Sequence, residues 1–192
     1  MDAAGKNKEI SRMPPPKERL YTSEDYWGLP ESRRAELIDG QLYDMAPPSR
    51  IHQEIISAMN AVIYHYLKSR GGNCKVYPAP FAVNLDSRDA NWVEPDISVI
   101  CDKNKLTGRG YSGAPDWIIE VTSPSTQSHD YLKKLWLYQK YGVREYWIIN
   151  PTTKNVMVYD FEHGNSASYS FDDPVPAAIY HSDLKICVSD LL

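Results

Sequence analysis

The chain has 192 residues, 42% of them hydrophobic and 24% charged, with a formal net charge of −4. That length supports one domain with a substantial core, and the mild acidity argues against a protein that coats nucleic acid by charge alone. No apolar run approaches the roughly 18 residues of a membrane span, and the polar N-terminus is no secretory signal, so a cytoplasmic protein without membrane attachment is expected.

Residues 1–19 are polar and basic, with Pro14, Pro15 and Pro16 in a row. They read as a disordered or loosely attached arm ahead of a single domain over residues 20–192. TSEDYWGLP, from Thr22, reads as a short helix with a hydroxyl cap, acids in its first turn and Gly-Pro at its end. Asp39-Gly40 between apolar pairs predicts a hairpin. Ser49 to Arg70 predicts a helix, because Ile51, Ile55, Met59, Val62 and Tyr66 recur at helical spacing and Gly71-Gly72 follow.

Strands come next. KVYPAPFAVNL reads as one, and its prolines, Pro78 and Pro80, favour a sheet edge. EPDISVI is a second and DWIIEVTS a third, separated by the Gly-rich loop CDKNKLTGRGYSGAP. Ser128 to Tyr141 predicts a helix capped by Ser128 and ended by Gly142. REYWIIN is a further strand, NVMVYDF and SASYSF form a hairpin across His163-Gly164-Asn165, and HSDLKICVSDLL closes the chain as a strand and turn. The order predicts a single α/β or α+β domain. Cys74, Cys101 and Cys187 are widely spaced and odd in number, so reduced thiols are expected, with neither a metal site nor a disulfide.

Two of these strands carry acids where a core wants aliphatics. In DWIIEVTS, Trp117, Ile119 and Val121 face one way, and Ile118, Glu120 and Thr122 the other. Both faces are largely apolar, so Glu120 is expected to be covered, and Asp96 in EPDISVI raises the same question. A buried carboxylate must be protonated, paired or bound to a cation. If the two strands are neighbours, about 4.8 Å apart, both acids can grip one divalent ion. Oxygen donors of this kind favour Mg²⁺ or Mn²⁺ over Zn²⁺.

The helix after Glu120 offers a cation. At 100° per residue Lys133 and Lys140 share a polar stripe, whereas Lys134 falls beside Leu137, Tyr138 and Tyr141. Packed behind the sheet, that helix brings Lys134 towards Glu120, where an ammonium orients water or stabilises phosphoryl charge. The plainer alternatives are a turn carboxylate for Asp96, an ion-paired buried acid for Glu120, and a surface pair with Asp130 for Lys134. Glu94 reads as an exposed strand-end acid or a spare ligand. Most of the 14 tyrosines and five tryptophans sit at core spacing.

ELIDGQLYDMAPPSRIHQ, VEPDISVI, IIEVTSPST with DYLKKLWLY, and YGVREYWIINP together resemble the PD-(D/E)XK nuclease superfamily, and within it the Uma-type branch of restriction-endonuclease-like proteins. The resemblance implies an α/β fold with a central mixed β-sheet flanked by helices. It implies Mg²⁺-dependent (or Mn²⁺-dependent) hydrolysis of phosphodiester bonds in DNA. Asp96 and Glu120 correspond to the motif acids that hold the metal, with the Val121 carbonyl as a further ligand. The superfamily lysine stands two residues after the glutamate, a position held here by Thr122, and the Lys-Leu-x-x-Tyr spacing assigns that role to Lys134. Glu36 matches a first-helix glutamate that binds metal or water, and it reads equally as a salt-bridge partner. His52 and Gln53 match an exposed pair without a firm role. Cutting both strands needs two sites, and the Pro-rich edge strand offers a pairing surface, so a homodimer is expected. The rival expectations are an inactive nucleic-acid-binding or assembly protein that kept the fold, and a nuclease acting on RNA.

Overall fold

The computed structural model describes residues 19–86, 89–123 and 129–192. The arm through residue 18, the Ser128 cap and the Asp130 side chain lie outside the described residues.

Thr22 caps α1 (Ser23–Trp27) in a reciprocal box, in which its hydroxyl accepts the Asp25 N–H and the Asp25 carboxylate accepts the Thr22 N–H. β1 (Ala35–Ile38) and β2 (Gln41–Asp44) form the expected hairpin. Asp39 and Gly40, at φ 49° and 78°, make the paired left-handed turn that matches strand twist. α2 (Arg50–Arg70) starts at Ser49, whose hydroxyl accepts the His52 N–H. Ile55, Ile56, Met59, Ile63 and Leu67 are its buried stripe, with Ile51, Val62 and Tyr66 packed at the margin.

The segment KVYPAPFAVNL is not one strand. β3 (Lys75–Pro78) and β4 (Val83–Asn84) belong to different sheets, because prolines bring no N–H to continue a ladder. β3 does occupy a sheet edge. β5 (Trp92–Val93) and β6 (Ile97–Ile100) follow, and the Gly-rich loop contains its own small hairpin, β7 (Leu106–Thr107) and β8 (Gly110–Ser112). The remaining elements are β9 (Trp117–Val121), α3 (His129–Tyr141), β10 (Glu145–Asn150), β11 (Asn155–Asp160), β12 (Asn165–Ser170), β13 (Val175–Pro176) and β14 (Lys185–Ile186).

The main sheet has the order β12-β11-β10-β9-β6-β3 and is mixed, since β9 and β10 are parallel and the other neighbours antiparallel. A second sheet, β2-β1-β5-β4-β8-β7, was not foreseen as a separate layer. The alternation expected in β9 holds. Trp117, Ile119 and Val121 join the α2 side of the core with Trp147 and Ile149 of β10. Ile118 joins the opposite side with Tyr146 and Ile148, against Leu137 and Tyr138 of α3 and Ile38, Val83 and Val93 of the second sheet. Among the described residues, no helix is long and apolar enough to cross a membrane.

The expectation of reduced thiols is corrected at two of three positions, because Cys74 and Cys101 form a disulfide. The β3–β6 register pairs Lys75 with Ile100, so the next step outward sets the two cysteines opposite each other, with Cα atoms 3.9 Å apart. Distance along the chain concealed a cross-strand neighbour.

Glu145 anchors the C-terminal segment. It is fully buried, and its carboxylate accepts the indole N–H of Trp147 at 2.6 Å and the backbone N–H groups of Ala178 and Ile179 at 3.0 and 2.8 Å. Burial pushes its carboxyl above the usual range, while those N–H groups pull it back only in part. Glu145→Ala orphans three donors, two of them buried, and is expected to cost about 3 kcal/mol or more in urea unfolding. A loss below about 1 kcal/mol would contradict that role.

Candidate active site

The register that pairs Ile97 with Ile119 and Ser98 with Ile118 places Asp96, one step further, opposite Glu120. The strands are therefore neighbours, as the metal-holding arrangement requires. Asp96, Glu120, Val121, Lys134, Glu36 and His52 line one cavity of about 330 Å³.

Each carboxylate is held by one of its oxygens. Asp96 Oδ2 accepts the Val121 N–H at 2.8 Å and lies 3.2 Å from His52 Nε2. Glu120 Oε1 accepts the Lys134 ammonium at 3.0 Å and the Tyr138 hydroxyl at 2.8 Å. Among the described residues no donor falls on Asp96 Oδ1 or Glu120 Oε2. Burial pushes the Glu120 carboxyl up to about 7; Lys134 opposes this, and Asp96 and Glu36 add to it.

Lys134 is not a surface lysine. Its Nζ lies 2.9 Å from Glu36 Oε2 as well as 3.0 Å from Glu120. Burial alone would lower its ammonium, but the charges of Glu120 and Glu36 outweigh that and keep it protonated. Helical rotation thus separated Lys134 correctly from Lys133 and Lys140. Lys133 meets the Tyr43 ring and hydroxyl, and Lys140 lies over Trp136.

Glu36 comes from β1, not from a helix as the resemblance implied. Its Oε1 also accepts the Glu94 N–H at 3.0 Å, which ties the second sheet to the segment ahead of Asp96. His52 is buried, contrary to the exposed role expected, while Gln53 beside it is exposed. Burial lowers the His52 imidazole, but Asp96 and the Val121 carbonyl outweigh it and raise it overall. Glu94 is likewise no exposed acid, since Arg34 lies 2.6 Å from it and the Tyr26 hydroxyl donates to it at 3.1 Å. Thr122 is buried, without the lysine that the superfamily pattern puts there.

Among the described residues no cluster of three His, Cys, Asp or Glu side chains is placed to hold an ion. The donor set on offer is two carboxylate oxygens and a main-chain carbonyl, an all-oxygen set that leaves places for water. That chemistry suits Mg²⁺ or Mn²⁺ better than Zn²⁺. Glu36, Asp44, Asp96 and Glu120 line the cavity beside Arg34, Lys134 and His52, so acid groups outnumber basic ones and a cation would offset the difference.

A family model described as Uma2, putative restriction endonuclease, matches residues 21–183. The chain is 27% identical over 134 residues, 69% of each protein, to an uncharacterised protein of Synechocystis sp.. It is also similar to the crystal structure of a putative nuclease belonging to DUF820 from Anabaena variabilis, with a TM-score of 0.71 and 26% identity over 88% of this chain and 96% of that one. These likenesses bear out the restriction-endonuclease-like α/β fold.

Proposed function

The chain belongs to the Uma2 family of putative restriction endonucleases, and from that premise we propose that it hydrolyses phosphodiester bonds in DNA with Mg²⁺ or Mn²⁺ held by Asp96, Glu120 and the Val121 carbonyl. The observation that carries this reading is that Asp96 and Glu120 line the cavity beside a buried ammonium, each with one oxygen that meets no donor among the described residues.

The metal, when bound, polarises a phosphate and lowers the pKa of its water. The protein supplies the rest. The Val121 N–H and His52 fix the rotamer of Asp96, and Lys134 and Tyr138 fix that of Glu120. Glu36 holds Lys134 from the far side, so the ammonium sits at a set position where it orients a water or neutralises charge on a phosphoryl oxygen. The cavity walls contributed by the second sheet limit solvent around these groups and strengthen each interaction. Two copies of the chain, each with one site, would serve both strands of a duplex.

The test is incubation of supercoiled plasmid, and separately of RNA, with the protein in Mg²⁺, Mn²⁺ or EDTA, beside Asp96→Ala. Metal-dependent nicking of DNA that Asp96→Ala abolishes is expected. Nicking equal in both proteins, or absent with every metal, would favour the non-catalytic binding protein. Cutting confined to RNA would move the substrate.

His52 acts through Asp96. His52→Ala is expected to lower Mn²⁺ affinity and nicking by roughly 10- to 100-fold, as loss of a ligand's outer partner does elsewhere. Raised Mn²⁺ should restore part of the rate. A loss of rate unmoved by Mn²⁺ concentration would contradict this positioning role.

A further inference from the structure

We propose that the outer face of α3 is a platform for unpaired nucleotides that leave the cavity, so that the preferred substrate carries a single-stranded stretch beside the scissile bond. This inference rests on the nuclease reading and specifies its substrate.

The face is unusual for this protein. Trp136 is 54% exposed and Leu132 72%, whereas Trp92, Trp117 and Trp147 are buried and Trp27 is 36% exposed. The rings on and beside α3 carry cations. Lys140 Nζ lies 4.4 Å from the Trp136 ring centre and 5.1 Å from that of Tyr141, and Lys133 Nζ lies 4.0 Å from that of Tyr43. Lys133, Trp136 and Lys140 are spaced i, i+3 and i+7, so they form one stripe roughly 10 Å long. That is the axial length of about three stacked nucleotides.

The stripe is continuous with the reaction cavity. Tyr43, under Lys133, lines it, and Lys134, the next residue along the same helix, enters it. A strand whose scissile phosphate lies near Lys134 therefore passes onto Lys133 and Trp136. Lys140 lies over the Trp136 and Tyr141 rings, and Lys133 faces the Tyr43 ring and donates to its hydroxyl; among the described residues neither ammonium is matched by a carboxylate, so both keep their charge for an incoming anion. Alternating amines and exposed rings are the surface that single strands use: phosphates meet the amines and base faces meet the rings. Paired bases in a duplex show only their edges in the grooves, so stacking on Trp136 needs an unpaired base, and a base that is already free spares the cost of unpairing. The protein's net charge of −4 makes this local cationic stripe the more selective.

The test uses two labelled DNA duplexes of identical paired sequence, one blunt and one with a single-stranded tail. Binding is measured in EDTA and cleavage in Mn²⁺ for the wild type, Trp136→Ala, Trp136→Phe and Lys140→Met. Trp136→Ala should weaken binding of the tailed duplex by roughly ten-fold or more, Trp136→Phe should recover most of it, and blunt-duplex binding should change less than about two-fold. Lys140→Met should also weaken tailed-duplex binding and flatten its salt dependence. If the wild type cuts both duplexes equally and Trp136→Ala changes neither, the platform is overturned and the nuclease reading stands. If the wild type neither binds nor cuts either duplex, the nuclease reading itself falls. If Trp136→Ala instead splits a dimer by light scattering with DNA affinity unchanged, the face joins two copies of this chain and the platform is again overturned.

Discussion

Lys134→Met is expected to destabilise the metal-free protein by about 3–5 kcal/mol at pH 8 and to slow cleavage by at least 10²-fold or so. Lys134 stands between Glu36 and Glu120 at 2.9 and 3.0 Å, and all three side chains are largely enclosed. Methionine keeps much of the side-chain volume but removes the ammonium that stands between the two carboxylates. Glu120 then has to take up a proton or remain charged with little compensation. The penalty should shrink at pH 5, where protonation of Glu120 is easy, and grow above pH 7. Urea unfolding in EDTA at the two pH values reads this directly. A loss below about 1 kcal/mol at pH 8, as for a surface pair, would show that the ammonium is not structural to the cavity.

Glu120→Gln is the second large effect. Removing one of two carboxylate donors should cut nicking by on the order of 10³-fold and weaken Mn²⁺ binding by more than ten-fold in calorimetric titration. The metal-free protein should respond differently. Burial raises the Glu120 carboxyl to about 7 from its ordinary 4.5, so its contribution to stability is fully present below about 4.5 and is lost as pH rises through about 7. Glu120→Gln should flatten that slope. It should be as stable as the wild type or more so at pH 8 in EDTA, and less stable once Mn²⁺ is added, because only the wild type gains from the ion. Retained nicking, or an unchanged stability slope between pH 4.5 and 7, would contradict this role for Glu120.

The candidate-site elements were legible where periodicity spoke. The alternation of DWIIEVTS put Glu120 on the face that α3 covers, and the 100° rotation of α3 separated Lys134 from Lys133, which turns to Tyr43, and from the exposed Lys140. Asp96 was legible because a carboxylate stood beside an apolar strand that proved to be the immediate neighbour of β9. The remainder depended on tertiary packing. His52 lies near the start of α2, a position that usually faces water, and its burial comes from the end of the main sheet rather than from any local pattern. Glu36 and Glu94 lie on or beside short strands of the second sheet, whose β4, β5 and β7 have two residues each, too few for an alternation to register. The Cys74–Cys101 bond joins positions 27 residues apart, set opposite each other only by the β3–β6 register.

A crystal of the protein soaked in Mn²⁺, with anomalous data collected, tests the metal seat most directly. A single peak is expected between Asp96 and Glu120, within roughly 2.0–2.6 Å of one oxygen from each and of the Val121 carbonyl. No peak in the cavity, or a peak that leaves Glu120 bonded to Lys134 alone with Asp96 uninvolved, would contradict a nuclease centre built on these two acids.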